Sequence, residues 1–197
     1  MTNVLHGIKY LVLVFVFLLA SAPYFAEAGP ASDDFIVLKG GSHGPLGSWG
    51  PKWDCKGPAT VTVKSGDGTN PAPGVPNGAS FFSLEVPLAG FSCNGGSVME
   101  EHMRKALRYD NYPVVQYQMT GYVVNGKEVT IKGYLTIAGG TQPTESIGIL
   151  TPLGENGARV RGEAKVNMKE SFKIQPPSLM MITVDELVTV VFDIVVP

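Results

Sequence analysis

Histidine is scarce in this chain, and that scarcity excludes more chemistry than any motif suggests. Three occur in 197 residues. His6 precedes an amino-terminal apolar run, which leaves His43 and His102 for the rest of the chain. A catalytic zinc takes three protein ligands, and neither an HxH nor an HExxH spacing is present. His43 lies beside Ser42 in a Gly-rich stretch, but the sequence places no acidic third partner with them, as a nucleophile triad would need. Gly95-Gly96-Ser97 is the only Gly-rich approach to a helix, where either an anionic head group or a plain helix cap would sit. The chain therefore reads as a non-enzyme that needs no cofactor and holds no metal.

Charge is also sparse. Fifteen Lys and Arg stand against seventeen Asp and Glu, for a formal net charge of -2. Without a basic excess, neither a nucleic-acid partner nor an anionic membrane surface is expected. Long apolar runs are missing too. The longest, Tyr10 to Ala20, falls short of the roughly 20 residues that cross a membrane. With Lys9 before it and Ala26-Glu27-Ala28 after it, residues 1–28 read as a secretory signal peptide. The rival reading is an uncleaved anchor. No cysteine lies near the end of the run, so an acylated lipoprotein is not indicated. Cleavage after Ala28 would leave residues 29–197 as one soluble domain, periplasmic or secreted, with no stable membrane anchor.

Cysteine is limited to Cys55 and Cys93. Export to an oxidising compartment makes a disulfide between them plausible. A hairpin register pairing Val63 with Glu85 also sets Cys55 opposite Cys93. Two separate buried thiols are the alternative.

What the chain has in plenty is glycine, proline and a period of two. There are 24 Gly and 15 Pro, which suits a turn-rich β protein. Apolar and polar residues alternate through Val115 to Thr120, Ile131 to Ile137, Arg159 to Met168 and Thr189 to Ile194. Such alternation marks strands with one face turned from water. Further strands are expected at Phe35–Lys39, Ala59–Lys64, Ser80–Leu88 and Thr144–Thr151, the last with Ile147 and Ile149 facing inward. Ser65 to Ala79 reads as a polar loop. Turns are expected at Asn125-Gly126, as type I′, at Gly139-Gly140 and at Asn156-Gly157. One helix interrupts the strands: Ser97-Val98-Met99-Glu100 forms a capping box, and Met99, Met103, Ala106 and Leu107 follow at helical spacing.

The fold class is therefore all-β: an eight-stranded antiparallel barrel with one short amphipathic helix. Eight strands are enough to enclose one small ligand. The inner set includes Val61, Val63, Phe82, Leu84, Val86, Leu88, Val115, Tyr117, Met119, Ile131, Leu135, Ile137, Ile147, Ile149, Val160, Val166, Val190, Phe192 and Ile194, and carries no charge. Gly133, Gly162 and Ala164 also point inward and leave room, unless bulky neighbours fill it. Met99, Met103, Met168, Met180 and Met181 would suit an irregular apolar wall. Trp49, Trp53 and Phe81 read as structural plugs.

An ordered series of segments carries a resemblance. Met99 to Leu107 precedes Tyr112-Pro113-Val114-Val115-Gln116-Tyr117. Gly133-Tyr134-Leu135-Thr136-Ile137-Ala138-Gly139 follows. Then come Val166-Asn167-Met168, Phe172 to Pro177 and Asp185-Glu186-Leu187-Val188-Thr189-Val190. The series resembles the YceI-like family. The resemblance implies a lipocalin-like barrel around an elongated apolar pocket, and an apolar partner of the polyisoprenoid or other long-chain lipid class. Gly140, Gln142 and Glu170-Ser171 depart from the family pattern and would alter the pocket rim. The expected ligand-binding residues are Phe82, Leu84, Met103, Val115, Tyr117, Met119, Gly133, Leu135, Ile137, Gly162, Val190 and Phe192. The alternative function is a stress-related or structural scaffold with a filled core. A homodimer is left open.

Overall fold

The computed structural model describes residues 34–47, 50–65, 79–154, 157–179 and 181–196. The expected signal peptide and its cleavage site, most of the 65–79 loop, Trp49, Asn156 and Met180 lie outside the described residues, as do the side chains of Val63 and Phe81. The elements in order are β1 (Phe35–Gly40), β2 (Ser42–His43), β3 (Trp53–Pro58), β4 (Thr60–Ser65), β5 (Ala79–Pro87), β6 (Ser92–Cys93), α1 (Gly96–Ala106), β7 (Val114–Asn125), β8 (Glu128–Ile137), β9 (Gly140–Pro152), β10 (Ala158–Asn167), α2 (Met168–Phe172), β11 (Ser178–Leu179), β12 (Ile182–Val184) and β13 (Leu187–Val196).

Ten of these strands form one curled antiparallel sheet in the order β4-β5-β7-β8-β9-β10-β13-β1-β3-β6. The order starts on β4 and nearly ends on β3, and these two are one chain segment interrupted only at Ala59. Its first half pairs with β1 and its second half with β5. A single bent segment thus belongs to both ends of the sheet and draws them together. Counted as one strand, with the two-residue β6 set aside, it brings the total to the expected eight. Asp34 ties the bend to the carboxyl-terminal strand: its carbonyl accepts the Ala59 N–H at 3.0 Å, and its Oδ1 accepts the Val195 N–H at 2.7 Å.

Turn chemistry sets the register, and here several expectations need correction. Asn125 pairs directly with Glu128, so the central turn residues are Gly126 and Lys127. Gly126 has φ 64° and Lys127 is not in the positive-φ region, so the turn is not the expected I′ at Asn125-Gly126. Ile137 pairs with Gly140, which makes the next turn Ala138-Gly139, with both φ values positive. That pairing fixes which face of β9 is inward. Ile131 lies opposite Ser146 and Gly133 opposite Thr144. A one-residue choice of register flips every side chain of a strand, and Ile147 and Ile149 consequently face outward, 52% and 49% exposed. The inner face of β9 is instead Thr144, Ser146, Gly148 and Leu150.

Helix α1 starts from Gly95 with no side-chain cap, so the Ser97 half of the capping box is not formed. Glu100 does reach back, but its Oε1 accepts the Cys93 N–H at 3.3 Å. Short α2 was missed, although Asn167 caps it by accepting the Glu170 N–H at 3.0 Å and Lys173 ends it at φ 57°. Strand β3 is likewise absent from the expected strands.

On the outer face, Asp193 receives Arg159 Nε at 2.5 Å and Arg161 Nε at 2.7 Å. Burial pulls the Asp193 pKa upward, but the hydrogen bonds and charges of the two guanidiniums outweigh it and hold the carboxyl below the usual range. A carboxylate whose pKa is lower folded than unfolded stabilises the fold fully above its unfolded value, near 4, and ceases to do so as pH falls through the folded value. Stability is therefore expected to drop on acidification below about pH 4. Urea melts of Asp193→Asn should show less of this acid sensitivity than the parent. Equal acid sensitivity in the two proteins would refute the assignment.

Candidate functional site: an apolar cavity in the barrel

The inward faces do not fill the barrel. They enclose a cavity of about 160 Å³. An apolar void of about 150 Å³ stays dry, and this one is of that size. Its walls come from most of the sheet: Ile36 and Leu38 from β1, Trp53 and Cys55 from β3, Phe82, Leu84 and Val86 from β5, Val115 and Tyr117 from β7, Ile131, Leu135 and Ile137 from β8, and Val188, Val190, Phe192 and Ile194 from β13. Helix α1 adds Met99, Met103 and Ala106, with Leu107 just beyond it. The segment from α2 to β12 adds Met168, Ile174, Pro176, Pro177 and Val184.

Of the twelve residues expected to bind a ligand, Phe82, Leu84, Met103, Val115, Tyr117, Leu135, Ile137, Val190 and Phe192 line the cavity. Met119, Gly133 and Gly162 do not. Gly133 and Gly162 do face inward, but the space above them is already taken. A Cβ on Gly133 would lie 2.6 Å from the Tyr117 hydroxyl, and one on Gly162 would lie 2.6 Å from Phe192 Cζ. Each glycine is the seat of an aromatic ring that in turn forms a cavity wall. The room expected above these glycines for a ligand is filled by rings from within the protein. Met119 is buried one residue before a bulge in β7, where the register shifts between Met119 and Gly121. The bulge puts Tyr122 and Val124, rather than Gly121 and Val123, against the core.

Sequence reasoning missed the contributions of β3 and of the small sheet β11-β12-β2. For β3 a signal was present: Trp53, Cys55 and Gly57 alternate with Asp54, Lys56 and Pro58. Trp53 lies along the cavity, with its Nε1 donating to the Gly41 carbonyl at 2.9 Å. The small sheet pairs Thr183 with His43 and Val184 with Ser42. His43 Nδ1 is 2.8 Å from Asp185 Oδ1. Asp185 lines the cavity and is half exposed, so the cavity approaches the surface at this end. Ser42 Oγ is committed to the Pro51 carbonyl at 2.7 Å and is buried while His43 is exposed. Neighbours on a strand point to opposite faces, and these two form no nucleophile pair. Among the described residues there is no cluster of three metal-ligating side chains.

The cavity wall is almost entirely apolar, with four polar side chains: Tyr117, Thr144, Ser146 and Asp185. No Lys or Arg is among the residues that line it. Tyr117 stacks obliquely on Phe82, with ring centroids 6.2 Å apart. Its hydroxyl is buried with no hydrogen-bond partner. Burial pushes its pKa up to about 12, while the Ser146 hydroxyl beside it acts the other way. An unsatisfied buried hydroxyl costs about 1–3 kcal/mol.

A YceI-like domain model matches residues 55–196. Among solved structures, the Burkholderia cenocepacia protein BcnA is 12% identical, with a TM-score of 0.58 over 81% of this chain and 94% of its own. A polyisoprenoid binding domain from Saccharophagus degradans, implicated in plant cell wall breakdown, is 12% identical, with a TM-score of 0.56 over 83% of this chain and 92% of its own. At this identity the likeness is one of fold. No curated protein sequence matches the chain.

Proposed function

The chain belongs to the YceI-like family, and from that premise we propose that it is an exported, soluble carrier that holds a long-chain apolar molecule, an isoprenoid or another lipid, inside its barrel. The observation that carries the reading is the cavity of about 160 Å³ walled by apolar side chains. A void of this size without a ligand forgoes the contacts that its lining atoms would otherwise make. Burying an apolar chain there gains about 25 cal/mol for each Å² removed from water. The Saccharophagus domain of the same fold is named for polyisoprenoid binding, which supports the same ligand class. Export rests on the amino-terminal pattern Lys9, Tyr10 to Ala20 and Ala26-Glu27-Ala28. The reading is one of binding, not catalysis, and it needs neither a cofactor nor a membrane anchor.

Two measurements test it. Native mass spectrometry of protein purified from its own compartment should show a co-purifying apolar mass, on a chain that begins at Gly29. The second uses Ala164, which lines the cavity from β10 opposite Val190. Ala164→Phe should fill ligand space, abolish binding of a fluorescent long-chain lipid and shift the melting temperature of the ligand-free protein by only a few degrees. Full lipid binding by that variant would mean that the ligand lies elsewhere.

A further inference from the structure

Strand β9 turns two isoleucines toward water. Ile147 and Ile149 are 52% and 49% exposed, and Val123 on β7, in the same cross-strand row as Ile147, is 63% exposed. Strand β9 lies between β8 and β10, so the apolar patch is on a sheet face and not at an edge. A partner cannot add a strand there; it has to lie face to face. Outward positions of a sheet with one solvated face are ordinarily polar. Glu128, Lys132, Arg161, Glu163 and Lys165 on the neighbouring strands follow that rule and are exposed. The two isoleucines, at successive outward positions of one strand and ringed by charge, do not.

The charges around them are arranged for a copy of the same surface. Ile149 stands between Glu128 on β8 and Arg161 on β10. Ile147 stands between Thr130 and Glu163, and its row continues to Val123 on one side and Val191 on the other. A two-fold axis lying over β9 and parallel to it exchanges the two sides of the strand. It sets each isoleucine against its own copy, Val123 against Val191, and Glu128 against Arg161. Glu128 has no ion-pair partner among the described residues. Arg161 gives its Nε to Asp193, and a guanidinium has further N–H donors to offer. Glu145, one outward position along β9, would also meet its own copy, but Lys132 lies 3.6 Å from it and balances its charge.

We propose that a second copy of this chain docks on the outer face of β8, β9 and β10, forming a two-fold dimer with Ile147 and Ile149 at its centre and a Glu128–Arg161 pair on either side. An isologous contact uses each residue twice, so a short apolar patch and one pair of opposite charges are enough to define it. The patch is small beside the roughly 800 Å² that each partner gives up in a standard interface, and the dimer is accordingly weak and concentration-dependent. It makes no use of the cavity, which lies on the opposite face of the same strands.

Sedimentation equilibrium of the exported protein tests it. At about 100 μM, where even a weak complex is assembled, the mass should be that of two chains. Glu128→Arg and Ile149→Lys alter exposed side chains, and each should sediment as a monomer at the same concentration with the circular dichroism spectrum of the parent. Arg161→Glu should also be monomeric, and an equimolar mixture of it with Glu128→Arg should dimerise again, because every arginine in the mixed pair then faces a glutamate. Should Arg161→Glu fail to fold for want of its bond to Asp193, Glu128→Arg and Ile149→Lys decide the matter without it. A wild-type protein that stays monomeric at this concentration overturns the proposal. So does a dimer that survives both Glu128→Arg and Ile149→Lys, since the contact would then lie on another face.

Discussion

Gly162→Leu is expected to destabilise the protein by about 3 kcal/mol, without entering ligand space. The position is closed by backbone as well as by a ring. A Cβ there would meet Gly148 Cα and Phe192 Cζ, each at 2.6 Å, and the Ile147 carbonyl oxygen closer still. The ring could turn aside, but the β9 backbone could not move without breaking its pairing with both β8 and β10. Gly148 is the cross-strand partner of Gly162, and its own Cβ position is closed by the Arg161 carbonyl at 2.8 Å. The pair therefore marks a place where two backbones approach too closely for side chains on either. For a domain of this size the loss corresponds to about 6–12 °C in melting temperature. Ala164, two residues along the same inward face, lines the cavity. The contrast is the sharpest check on the interior: Gly162→Leu should lower stability strongly, whereas Ala164→Phe should cost little stability and lose the lipid. Similar melting temperatures for the two variants would mean that the wall has been traced wrongly.

Those two positions also show what the alternation could and could not reveal. A period of two assigns residues to a face, and it placed Gly162, Ala164, Tyr117 and Phe192 on the inner face of their strands, where they are. It says nothing of what stands opposite. Whether an inward glycine faces a void or a neighbour's ring depends on strand order and on ring direction, and neither is local. Hence Ala164 lines the cavity, while Gly133 and Gly162 seat the rings of Tyr117 and Phe192. Strand β9 failed for a related reason. Thr144 to Thr151 alternates cleanly, but Ser146, Gly148 and Leu150 are as small or apolar as the positions between them are apolar. The pattern alone does not choose a face, and the turn at Ala138-Gly139 does. The helical wall of the cavity was legible because Met99, Met103, Ala106 and Leu107 repeat at a spacing that only a helix brings together. The end near Asp185 was not, since the two-residue strand Ser42–His43 and the three-residue strand Ile182–Val184 are too short to carry a period.

Breaking the Cys55–Cys93 disulfide is expected to have the largest effect of all. The bond is present, and it joins β3 to the short edge strand β6. The sequence suggested this pair through a register of Val63 with Glu85. The observed partner of Val63 is Phe82, so the pairing arises differently. Between β5 and β6 the chain makes a one-turn 3-10 helix at Leu88–Gly90, and these three extra residues move the later register to the one that sets Cys55 opposite Cys93. The two cysteines are 38 residues apart. Closing a loop of that length in the unfolded chain is worth about 4 kcal/mol, a large fraction of the roughly 5–15 kcal/mol by which a domain is stable. Strand β6 has only two register pairs to hold it, Cys55 with Cys93 and Lys56 with Ser92, and it leads directly into α1, which carries Met99 and Met103 to the cavity. The bond therefore fixes the helical wall as well as the edge of the sheet. Reduction, or the double variant Cys55→Ala with Cys93→Ala, should lower the urea midpoint by about 2 M, taking a slope near 2 kcal/mol/M. Lipid affinity should fall as α1 loosens. Labelling of the unfolded, unreduced protein should find no free thiol. Oxidised and reduced proteins that melt at the same urea concentration would show that β6 and α1 stay in place without the bond, and that the helical wall is held by its own apolar face.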